Sequence, residues 1–122
     1  MAIHKILIVD DSPTERYYLT DILVKNGFSV STADNGEEAL SKMRADRPEL
    51  ILMDIVMPGA NGFQITRSIA RDPELSAVPV IICSSKNQET DRIWGMRQGA
   101  KDYFVKPVDP GLLLARIAAL DV

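Results

Sequence analysis

The stretch Leu50–Ile51–Leu52–Met53–Asp54 constrains the chain most: an unbroken apolar run that ends on a carboxylate. Four apolar residues without alternation read as a strand buried on both faces, which is the habit of parallel sheets covered by helices. The same pattern occurs at the start, where Ile6–Leu7–Ile8–Val9 runs into Asp10–Asp11. In open α/β sheets the carboxyl ends of the strands are where ligands bind. Asp54 by itself reads equally well as a strand-terminating or helix-capping residue. Two buried strands with acidic ends make the functional reading the stronger one.

Helical patterns separate the strands. Ser12–Pro13 offers a capping hydroxyl and a proline at the first helical position, and Tyr18, Leu19, Ile22 and Leu23 form an apolar stripe that stops at Asn26–Gly27. Phe28, Val30 and Thr32 alternate with Ser29 and Ser31, as expected of a half-exposed edge strand. Asn35–Gly36–Glu37–Glu38 resembles a capping box ahead of Ala39, Leu40 and Met43. A third helix follows Asn61–Gly62, with Ile65 and Ile69 on one side, and breaks at Asp72–Pro73. Val78–Cys83 reads as the fourth strand, ending at Ser84–Ser85. A fourth helix is expected over Asn87–Gln98, closed by Gly99. Asp102–Val105 is a short fifth strand before Lys106–Pro107. Asp109–Pro110 opens the last helix, with Leu113, Ile117 and Leu120 facing inward.

Strict alternation of strand and helix predicts right-handed βαβ units and a parallel sheet. Strands one, three and four are apolar throughout and belong in the centre, which gives the order 2-1-3-4-5. The expectation is a doubly wound α/β, (βα)5 fold with a five-stranded sheet.

The 122 residues suit one domain. A net charge of −3 argues against a nucleic-acid partner. No apolar run approaches the ~18 residues that insertion in a membrane requires. No secretory signal is visible, and the single Cys83 fits a reducing compartment, so a cytoplasmic location is expected. Cys83, Met53 and Met57 read as core residues, not as redox or soft-metal groups. Trp94 reads equally as a partner anchor and as packing between the third and fourth helices.

The strand ends together carry Asp10, Asp11, Asp54, Ser84 and Lys106. Crowded carboxylates call for a cation, and hard oxygen ligands favour Mg²⁺. Lysine and a hydroxyl would complete a pocket for a phosphoryl group, and a carboxylate can attack a phosphoryl donor.

Ile8–Ser12, Leu52–Gly59, Ser84–Ser85 and Gly99–Pro107 resemble the response-regulator receiver domains of two-component signalling, whose fold is CheY-like (flavodoxin-like). The resemblance spans the whole chain. It implies one receiver domain over 1–122 with no output domain, and no enzyme beyond its own phosphorylation and dephosphorylation. Asp54 would be the phospho-acceptor. Asp10, Asp11, Asp54 and the backbone carbonyl of Val56 would hold Mg²⁺. Ser84 and Lys106 would bind the phosphoryl group, Lys106–Pro107 would be cis, and Ser84 and Tyr103 would form the switch. Tyr103 also has a plainer reading, as an edge-strand tyrosine half covering the core. The implied partners are a histidine kinase and a target docking on the face of helix four, strand five and helix five. The chain would be a monomer or a weak phosphorylation-dependent dimer. His4, the only histidine, lacks a helix-bundle setting, so the phosphoryl donor is another protein or a small phosphodonor.

Gly62–Arg67 and Gln88–Ala100 further resemble single-domain regulators of type IV pilus twitching motility. The alternatives are another single-domain regulator, such as one of chemotaxis, or a phosphate sink for a shared kinase. An aspartyl-phosphate phosphatase would need a cap insertion, and no loop is long enough. A flavodoxin-like cofactor binder would need a phosphate-cradling loop where Asp10–Asp11 stands.

Overall fold

The computed structural model describes residues 3–120. Five strands, β1 (Lys5–Val9), β2 (Ser29–Ala33), β3 (Leu50–Met53), β4 (Val80–Ser84) and β5 (Asp102–Val105), alternate with five helices. The helices are α1 (Pro13–Lys25), α2 (Gly36–Ala45), α3 (Gly62–Arg71), α4 (Glu89–Arg97) and α5 (Pro110–Leu120). All strand pairs are parallel and the order is β2-β1-β3-β4-β5, as expected.

The central strands look apolar throughout because successive side chains enter different layers. Leu7, Val9, Ile51, Met53 and Val80 pack with Ala39, Met43, Ile65 and Ile69 of α2 and α3. Ile6, Ile8, Leu50, Leu52, Ile81 and Cys83 pack on the opposite face with Leu19, Leu23, Leu113 and Ile117 of α1 and α5. Each fully buried Leu or Ile contributes about 1.5–3 kcal/mol, so these two layers hold the sheet. A third, thin layer of Ile55, Ile82, Ala100 and Tyr103, joined by Phe63, lies near α4.

Helix starts follow side-chain chemistry. Ser12 Oγ accepts from the Glu15 N–H at 3.3 Å, with Pro13 at the first helical position. At α2, Asn35 accepts from the Glu38 N–H, but the Glu38 carboxylate turns to Lys42 one helical turn on, so the expected box is half made. The full reciprocal box belongs to α3, between Asn61 and Gln64. Helix α4 starts at Glu89, later than the expected Asn87, because Asp91 accepts from the Gln88 N–H and fixes the boundary there. Likewise β4 starts at Val80 and not Val78, since Pro79 has no N–H for the ladder.

Candidate functional site

The ladders continue past the strand ends and place the polar side chains. Asp10 N–H donates to Ala33 O, Asp54 N–H to Val9 O, and Lys106 N–H to Ser84 O. Register alone thus sets the two acids side by side, and Lys106 reaches them from the end of β5, across β4. Asp10, Asp11 and Asp54 each offer a carboxylate oxygen within 4.8 Å of the others. Asp10 and Asp54 are buried, whereas Asp11 is exposed.

Lys106 Nζ lies 2.7 Å from Asp10 Oδ2 and 3.4 Å from Asp54 Oδ1. Asp10 Oδ1 accepts from the Ser12 N–H at 2.9 Å. Each Asp10 oxygen therefore has one donor and keeps a further lone pair free. That N–H would otherwise serve Glu15, completing a Ser-x-x-Glu box. Instead the Glu15 carboxylate keeps a buried oxygen without a hydrogen-bond partner and adds negative potential around Lys106. Burial opposes the lysine charge, but the Asp10 hydrogen bond and the Asp54, Asp10 and Glu15 charges hold its pKa above the ordinary value.

Asp54 is the strained acid. Burial and the Asp10 charge raise its pKa to about 6, against the lowering effects of Lys106 and the Ile55 backbone N–H. One ammonium does not neutralise three carboxylates. The donor set is all hard oxygen and partly open at Asp11, which fits a hexacoordinate Mg²⁺ that retains waters.

Ser84 is fully buried, and its Oγ accepts from the Lys86 N–H. Tyr103 is buried, not half covering the core: its ring points inward and its hydroxyl donates to Lys86 O at 2.8 Å. Ser84 and Tyr103 are therefore anchored to the same short segment. Val56 follows Asp54 by two positions with its side chain largely exposed. The Lys106–Pro107 bond is cis. Trp94 is about half exposed. Cys83 is buried, which pushes its thiol up to about 12, and it packs as core.

Two supports escape a reading by motif. The Tyr18 hydroxyl donates to Val108 O at 2.8 Å, tying α1 to the loop just after Lys106–Pro107. Gly62 lies against the main chain of Asp54: a Cβ there would overlap the Asp54 carbonyl oxygen and stand 2.8 Å from Ile55 Cα. Its N–H donates to Ile55 O at 2.9 Å. The Asn61–Gly62 pair signals a turn in sequence, but nothing local signals that the glycine is required by a contact with the site.

A family model described as "Response regulator receiver domain" matches residues 6–118. Protein PilH of Pseudomonas aeruginosa is 56% identical over 95% of this chain and 96% of its own length. The DNA-binding response regulator MtrA of Mycolicibacterium smegmatis is 37% identical over 94% of this chain, which spans 49% of that longer protein. Among solved structures, the chemotaxis protein CheY4 of Vibrio cholerae superposes with a TM-score of 0.88 at 30% identity, covering 97% of this chain and 98% of that one.

Proposed function

Because the chain belongs to the family of response-regulator receiver domains, we propose that it is phosphorylated on Asp54 by a histidine kinase and signals to protein partners that control type IV pilus twitching. The observation that carries this reading is the Asp10–Lys106–Asp54 arrangement beside Asp11. The pilus assignment rests on the similarity to PilH, 56% identical over 95% of this chain.

In this reading an Asp54 carboxylate oxygen forms a bond to phosphorus while the bond from phosphorus to the donor breaks. Lys106, already pointed at Asp54, follows the new phosphoryl oxygens. Ser84 releases the Lys86 N–H and donates its hydroxyl to the phosphoryl group. Asp10, Asp11, Asp54 and the Val56 carbonyl would hold Mg²⁺, which supplies charge neutralisation on the transferring oxygens. The chain catalyses only its own phosphorylation and dephosphorylation. Movement at Ser84 reaches Tyr103 through their shared Lys86 segment, and from there the face of α4, β5 and α5. That face exposes Ile93, Trp94, Val105 and Leu112, an apolar set suited to a protein target.

The test is intact-mass analysis with Mg²⁺ and a small phosphodonor, following Trp94 fluorescence on the same samples. One added phosphoryl group, absent without Mg²⁺, supports the reading. No adduct under any condition, including with a competent histidine kinase, leaves a docking module.

The exposed Val56 side chain cannot hydrogen-bond an attacking water. Val56→Asn adds an amide at the mouth of the site and is expected to speed loss of the phosphoryl group about threefold or more, in line with water positioning by a polar side chain. The decay of the mass adduct after donor removal measures this. An unchanged decay rate would contradict the proposed path of water.

A further inference from the structure

The C-terminal ends of α3 and α4 enclose an open groove of about 390 Å³, lined by Arg67, Ala70, Arg71, Arg97, Gln98 and Gly99. It lies at the sheet edge remote from Asp54. Helix α3 begins against Asp54 at Gly62 and runs back about 15 Å before reaching Arg71. The turn after α4 is fixed by the Lys101 N–H donating to Val80 O, at the start of β4.

The three arginines are exposed, and none has a carboxylate partner among the described residues. By contrast Arg44, Arg92 and Arg116 each face an aspartate. Arg71 and Arg97 occupy the last turns of their helices, where positive charge complements the helix dipole. That accounts for two of them and not for Arg67. Arg67 and Arg71 stand one turn apart on the same helix, a like-charge pair that weakens α3. Gly99, at φ +113, brings the end of α4 close to Ala70 and so draws Arg97 toward that pair. In a chain of net charge −3, this gathering of arginines without carboxylate partners suits an anionic ligand.

The lining selects the kind of anion. Both helices present their carbonyl ends here, not the N-terminal amides that cradle phosphate. No aromatic ring lines the groove to stack a base. Planar guanidinium groups on long stems, spaced along a groove, match separate carboxylates. We propose that this groove docks an acidic peptide segment of a partner protein, at a place distinct from both the Asp54 edge and the face of α4, β5 and α5.

Fluorescence anisotropy of a labelled hexaglutamate peptide against the full chain tests this. Saturable binding is expected at low salt, weakened by added salt because the contacts are exposed. Arg67→Glu combined with Arg97→Glu should reduce affinity about tenfold or more. Arg67→Glu alone should weaken binding clearly more than Arg47→Glu, which changes net charge equally at an arginine outside the groove. Equal effects of these two single variants would overturn the proposal, as would insensitivity to the double variant. Inorganic pyrophosphate that displaces the peptide and binds more tightly would reassign the groove to phosphate and also overturn it. The double variant should still gain the phosphoryl adduct at Asp54, so failure here is separable from failure of the receiver reading.

Discussion

Asp54→Asn is expected to abolish the phosphoryl adduct and, at the same time, to make the metal-free chain more stable at neutral pH. The amide cannot act as the nucleophile, so the mass gain disappears. The gain in stability follows from linkage. In the unfolded chain Asp54 loses its proton near 3.8, whereas in the folded chain burial and Asp10 hold it until about 6. A carboxyl whose folded pKa is raised costs stability above that pKa and relieves the cost when protonated. At about 1.36 kcal/mol per unit, the penalty at pH 7.5 is about 2–3 kcal/mol. Urea unfolding in a chelator should show the Asn variant more stable by that amount at pH 7.5. The difference should shrink as pH falls through 6 and vanish only below about pH 3, where Asp54 is protonated in both states. Equal stabilities at pH 7.5 would mean that Lys106 already balances the site. Added Mg²⁺ should stabilise the wild type more than the variant.

Gly62→Ala should damage fold and site together. Its Cβ would overlap the Asp54 carbonyl oxygen and approach Asp54 C and Ile55 Cα at 2.8 Å. All three are main-chain atoms just past the end of β3, so no side chain can rotate away. Either α3 lifts and loses the bond from Gly62 N–H to Ile55 O, or Asp54 moves from its register with Val9. Overpacking of this kind costs about 3 kcal/mol or more, which lowers the melting midpoint by about 10 °C in a domain of this size. Phosphoryl incorporation should also slow in protein that is still folded. Gly36→Ala is the control, because the group it meets is the flexible end of Ile65. A melting midpoint for Gly62→Ala equal to that control would show that the α3 junction is soft.

The fold was legible because the buried strands wrote themselves as runs: Ile6–Val9, Leu50–Met53 and Val80–Cys83 can only be covered on both faces. Their acidic ends were legible for the same reason, since a carboxylate following such a run has nowhere to lie but the sheet edge. Asp10, Asp54 and Lys106 are thus brought together by register, which the strand order already implied. What the chain did not disclose were contacts that depend on distance across the fold. Gly62 looks like any turn glycine until α3 is seen against Asp54. The half-made box at Ser12 is invisible because Asp10, not Glu15, takes the N–H. Trp94 is ambiguous in sequence because α4 has no clear apolar stripe, and the helix starts later than its pattern suggests because Asp91 caps the Gln88 N–H.

Helix α4 buries only Gly95 along its length, and that glycine packs closely against the side chains of Ile82 and Tyr103. Its apolar attachment is therefore thin, supplemented by Arg92 reaching Asp102 and the Tyr103 carbonyl, unlike the apolar stripes that fasten the helices of the two main layers. An element held this way opens by itself, at a free energy well below that of global unfolding. Its backbone amides are the ones to exchange with solvent while the sheet stays closed. A structural change begun at one serine need not disturb the core to be felt there: it has only to shift a local opening equilibrium.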